Sequence, residues 1–203
     1  MGTFKKQMFL QSPEIANELD SEAEMSARCK KILTSYQTRK YTSEQALLDA
    51  IDWHLEKGYS YHVVTWGDID SLSYLLFVAK QQKIHHVIIS TWAMNNKDIE
   101  DIGALLKKGV IEKCDFYVGE IFKTRYSKEH QMLRQLAQEY GCKIVLFRNH
   151  AKVMAIKGEH YDCVIESSAN INRNPRCEQT VITVDTELTD WYIQFYSEIR
   201  SFE

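Results

Sequence analysis

From residue 61 onward, short apolar runs alternate with longer stretches whose apolar residues recur every three or four positions. These are the signatures of strand and helix. Tyr61–Trp66, His86–Trp92, Cys114–Gly119 and Lys143–Phe147 predict strands, and Ser71–Lys80, Lys97–Lys108 and Glu129–Tyr140 predict the helices between them. Strands separated by helices of this length indicate βαβ units and a largely parallel sheet. The order then changes to consecutive strands at 150–156, 163–170 and Thr180–Val184, closed by a helix over Asp190–Arg200. The fold expected is α/β, a mixed, largely parallel sheet flanked by helices, with the Lys143–Phe147 strand running close to the one at 150–156.

Residues 1–40 are polar, charged and helix-prone. Ser12-Pro13 suits a helix start, and Ser21–Leu33 has the spacing of a surface helix. Thr42–Trp53 combines a capping hydroxyl with an apolar stripe and predicts a helix ending at Gly58. No segment is rich in Pro, Gly or Ser, so the organisation expected is a helical arm over 1–40 and an α/β domain over 41–203.

Composition narrows the class. A chain of 203 residues can bury one well-packed core. No apolar run approaches the roughly eighteen residues that span a bilayer, and the amino terminus lacks a signal-peptide core, so a cytoplasmic protein is expected. The five cysteines are scattered without zinc-ligand spacing, which suits free thiols in a reducing compartment. A net charge of −3 gives no global nucleic-acid signature.

The chemistry concentrates late in the chain. His150-Ala151-Lys152 lies within Phe147–Ile156, and Ser168-Ala169-Asn170 within Asp162–Ile171. Residues i and i+2 of a strand share a face, so His150 would project with Lys152, and Ser168 with Asn170. Lys157–Tyr161 reads as a turn. If it is centred near Glu159, antiparallel pairing sets His150 opposite Ser168; a slip of one residue would move one pair to the other face. A nucleophile, a cation and two neutral hydrogen-bonding side chains then converge, as a phosphate site requires.

This pattern resembles the phospholipase D superfamily, whose signature is His-x-Lys followed by Ser-x-Asn, usually Gly-Ser-x-Asn, and within it the small single-motif phosphodiesterases and nucleases. The likeness covers roughly Phe147–Gln179, including an Asn/Arg-rich stretch from Asn172 to Arg176 that ends in acidic Glu178. Two positions depart: the Gly before the serine is Ser167, and the Asp five residues after the lysine is Lys157. The resemblance implies that His150 attacks phosphorus, that Lys152, Ser168 and Asn170 stabilise the phosphoryl oxygens, and that Glu178 orients the imidazole. It implies no metal and no cofactor.

A second histidine is then needed for the leaving group. His54, His62, His85, His86, His130 and His160 all lack a lysine two residues on. Single-motif members of the superfamily use a homodimer, each subunit giving one histidine. The expected protein is therefore a dimeric phosphodiesterase, most simply a nuclease acting on DNA or RNA. The alternative is a phospholipase D-like domain that has lost catalysis and serves as a binding or assembly module.

Other residues have a structural and a functional reading. Arg148, Lys152, Lys157, Arg173 and Arg176 gather positive charge around the motif, as a solvated surface or as an attraction for phosphodiesters. Trp66 and Trp92 end two strands, where they suit either helix packing or stacking on bases. Asp68 and Asp70 read as helix-capping residues or weak metal ligands, and His85-His86 as a strand-entry pair.

Overall fold

A computed structural model describes residues 41–51, 54–172 and 176–201. The arm expected over 1–40 lies outside them, as does Arg173. Thr42–Glu203 forms one unit built on a single sheet.

Helix α1 covers residues 41–50. It ends before the expected Gly58, which instead sits in a turn at φ 83° and donates its N–H to the Val184 carbonyl. The strands follow as β1 (Ser60–Thr65), β2 (Ile84–Thr91), β3 (Cys114–Gly119) and β4 (Ile144–Phe147), then β5 (Val153–Gly158), β6 (Cys163–Ser167) and β7 (Glu178–Thr183). The helices are α2 (Ser71–Gln81), α3 (Asn96–Lys107), α4 (Phe122–Arg125), α5 (Ser127–Tyr140) and α6 (Thr186–Glu198). Asn95 and Asp185 cap α3 and α6 by accepting from the N–H groups of Asp98 and Leu188, satisfying donors that a helix start otherwise leaves open.

The sheet is mixed, in the order β1-β7-β6-β5-β2-β3-β4. Parallel pairing is confined to β2–β3 and β3–β4, with every other neighbour antiparallel. The parallel share is smaller than the helix spacing suggested because the α2 crossover carries the chain from the β1 edge past β7, β6 and β5. For the same reason β4 does not run beside β5; β3 and β2 separate them.

Both faces of the sheet are covered. Met154, Ile156 and Ile165 join one core with Leu75, Ile102 and Leu133 of the helices, while Val153, Ala155 and Val164 join another with Tyr196 of α6. A strand buried on both faces shows no alternation, so the apolar pattern could not fix its register. Val153 pairs with Glu166 and Ile156 with Cys163. That ladder is one residue away from the register that would oppose His150 and Ser168.

Candidate active site

The carboxyl ends of β1, β2, β3, β4 and β6 share one end of the sheet with the starts of β5 and β7, as the pairs Thr65–Glu178, Ser90–Val153, Gly119–Phe147 and Ser167–Thr180 require. All five candidate residues lie there. None of His150, Lys152, Ser168 and Asn170 is within a strand: the first two precede β5 and the others follow β6, while Glu178 begins β7.

Topology explains the displacement. To pass from β4 to β5, residues 148–152 must cross the ends of β3 and β2, so the apolar run from Phe147 to Ile156 is cut in the middle. Asn149 fastens the crossing. Its side chain is buried, and its amide donates to the Tyr117 carbonyl of β3 (2.8 Å) and to the Ser90 hydroxyl of β2 (3.0 Å). The amide also reaches the Thr91 carbonyl (3.4 Å), while its oxygen accepts from the Ala151 N–H (2.9 Å). Sequence reading missed Asn149; the signal was a strand-disfavouring amide inside an otherwise apolar stretch.

His150 is exposed and packs its ring against Trp92, centroids 5.9 Å apart. The Lys152 ammonium donates to His150 Nδ1 (3.0 Å) and to the His150 carbonyl (2.6 Å). An ammonium only donates, so Nδ1 is the acceptor here. Burial holds the Lys152 amine below the ordinary lysine range, and Glu178 partly offsets this by favouring the charged form.

The second group is organised by β7. The Ser168 hydroxyl donates to the Glu178 carboxylate and accepts from the Gln179 N–H (3.0 Å). Ser167 bonds the Thr180 hydroxyl (2.9 Å) and accepts from the Ala169 N–H (3.1 Å), so it shapes the turn. Asn170 Oδ1 faces the Thr91 hydroxyl (3.5 Å), which also accepts from the Ile171 N–H (3.3 Å). His150 and Lys152 are thus joined directly, Ser168 and Glu178 are joined directly, and the Lys152–Glu178 attraction links the two pairs.

Lys157 stands apart from this arrangement. It lies five residues beyond Lys152 along β5, about 17 Å at the strand rise, and its ammonium bonds Asp162 (2.9 Å) and Asp190 (2.6 Å). It therefore ties the β5–β6 turn to α6 and adds nothing to the charge around His150. Arg148 and Arg176 are exposed. Trp66 is 80% exposed, so core packing does not account for it. Asp68 accepts from the Trp66 N–H (2.9 Å), the role of a turn residue. His85 and His86 pair with Glu112 and Asp115 near the opposite end of the sheet.

No family model matches the chain, and no curated protein matches it. Solved structures do. Polyphosphate kinase from Porphyromonas gingivalis is similar over 68% of this chain and 25% of its own, at 18% identity and TM-score 0.50. This chain thus spans about a quarter of that enzyme. The archaeal chromatin protein TrmBL2, whose structure shows a novel mode of DNA binding, is similar over 90% of this chain and 68% of its own, at 13% identity and TM-score 0.53. Phosphatidylserine synthase from Haemophilus influenzae matches 68% of this chain and 37% of its own, at 14% identity and TM-score 0.48. At these identities the likeness is one of fold.

Proposed function

We propose that this chain is a phosphodiesterase of the phospholipase D superfamily, metal-independent, acting on nucleic acid as a homodimer through a phosphohistidine at His150. The observation that carries the reading is the assembly of His150, Lys152, Ser168, Asn170 and Glu178 at one open end of the sheet, although they come from three separate segments.

The His150 imidazole attacks phosphorus, forming an N–P bond as the bond to the leaving oxygen breaks. The leaving oxygen takes a proton from a second histidine, His150 of another copy. Water then gives its proton back to that histidine and attacks phosphorus, and the N–P bond breaks. Lys152 donates to His150 Nδ1 and lies in the field of Glu178. A bound phosphate, offering two anionic oxygens, draws the ammonium toward itself and releases Nδ1. Asn170 and Ser168 supply neutral donors to the same oxygens, where fixed donors stabilise developing charge.

Lys157 does not count against activity, because its ion pairs lie away from the histidine. The test is hydrolysis of bis(p-nitrophenyl) phosphate in EDTA by the wild type and by His150→Ala. Turnover by the wild type and its loss in the variant are expected. No turnover by either folded protein returns the chain to the alternative of a binding or assembly module. Sedimentation gives the second test: a strict monomer cannot assemble the two-histidine site.

A further inference from the structure

A second feature lies beside the β4 edge of the sheet. Two overlapping cavities, of about 610 and 460 Å³, share Lys123, His130, Arg134 and Gln138 in their walls. They form one groove floored by Ile144 and Leu146 of β4. No carboxylate lines either cavity, although the chain as a whole has a net charge of −3.

Neither acid of α5 lines the groove. In α5, positions 127, 130, 131, 134 and 138 recur at three- and four-residue intervals and make one stripe, which brings Arg134 into the groove. Its acids lie elsewhere: Glu139 lines the cleft against α3, and Glu129 reaches Asn96 at the start of that helix. Neither Lys123 nor Arg134 takes part in an ion pair among the described residues.

We propose that this groove is a track for the sugar-phosphate backbone of single-stranded nucleic acid leading to His150. Lys123 follows the carboxyl end of β3 and so sits at the catalytic end of the sheet. From there the α5 stripe runs away over about 16 Å, at the helical rise from Ser127 to Gln138. β4, the groove floor, continues through Arg148 into the loop that carries His150. Few cations spaced among glutamines suit a backbone with one charge per nucleotide and hydrogen-bonding sugars and bases. Inorganic polyphosphate, uniformly anionic, would call for denser positive charge. Trp92 against His150 and the exposed Trp66 offer ring faces at the same end of the sheet.

The direction of the track rests on the catalytic reading of His150; binding in the groove does not. The test is fluorescence anisotropy of a labelled single-stranded oligonucleotide titrated with the protein over a salt series. In Lys123→Ala/Arg134→Ala, loss of two phosphate contacts makes the slope of log affinity against log salt shallower by about 1.4 and weakens binding roughly tenfold. Lys107→Ala/Lys108→Ala, which removes the same charge from the exposed end of α3, binds as the wild type does. Equal losses in the two double variants would overturn the track, as would a wild type that binds inorganic polyphosphate but no oligonucleotide. Anisotropy reads binding without turnover, so a failed turnover assay and a failed groove are told apart.

Discussion

Asn149 donates its side-chain amide to the Tyr117 carbonyl at 2.8 Å, pinning the loop that precedes His150 to the end of β3. The same amide holds the end of β2 through Ser90. In the proposed mechanism Asn149 is a positioning residue: it fixes the backbone from which His150 and Lys152 project.

Asn149→Ala leaves the buried Tyr117 carbonyl and Ser90 hydroxyl short of a partner. The cost expected is about 1–3 kcal/mol, a fall in Tm of roughly 2–12 °C for a chain of this size. Turnover measured well below that Tm falls further than Tm does, with the loss in kcat rather than KM. Asn149→Asp keeps the acceptor for the Ala151 N–H and recovers little, because both donors are gone.

Lys152→Gln separates charge from packing. The ammonium is held below the ordinary lysine range chiefly by burial, so the fold gains nothing from that charge. Substitution should leave Tm unchanged or raise it, while turnover drops by about 10²–10³-fold. In the wild type, activity on the alkaline side should fall with an apparent pKa below the ordinary lysine value of 10.5. A fall in Tm matching the loss of turnover would mean that Lys152 is structural.

Gly119 ends β3 directly beneath the crossing. A Cβ there would stand 3.0 Å from a Trp92 ring carbon, 3.3 Å from the Trp92 carbonyl and 3.5 Å from that of Asn149. Gly119→Ala therefore pushes on the residue against which His150 packs. The expected result is a destabilisation of about 1–3 kcal/mol by overpacking, measured by denaturant titration, together with reduced turnover. Gly103→Ala, whose new methyl meets only the flexible end of Leu136, is the milder comparison.

Sequence pattern alone made the βα alternation legible, because Val/Ile runs and capped helices are local signals. Strand spacing for His150, Lys152, Ser168 and Asn170, and the family resemblance for Glu178, pointed to five residues that lie at one end of the sheet. Strand order was not legible: the β1–α2–β2 crossover looks the same whether it steps one strand or four. The start of β5 was misjudged because the apolar run through His150 is broken by Asn149 and the strand ends it binds, a long-range effect. The groove was hidden because Lys123 lies in the short α4, which has no periodic signature, and its partners lie a helix away.

The far end of the sheet predicts the response to acid. Burial alone would raise the Asp115 carboxyl, but bonds from His86, the Lys143 N–H and Lys113 outweigh it and hold the group below the ordinary range. A carboxyl held below its unfolded value stabilises the fold above that value, near pH 3.9, and the contribution is lost as pH falls through the folded value. Asp115→Asn should cost roughly 1.5–3 kcal/mol at pH 7 and flatten the fall in stability below about pH 4. A denaturation series across that range checks both.

The central claim is that His150 is the nucleophile, and trapping its adduct tests this most directly. The wild type, quenched in alkaline denaturant during turnover of bis(p-nitrophenyl) phosphate and digested, should yield a phosphoryl adduct on the peptide containing His150. His150→Ala should give neither adduct nor turnover. Sustained turnover by His150→Ala, or a wild type that turns over with its adduct on another residue, would contradict the account.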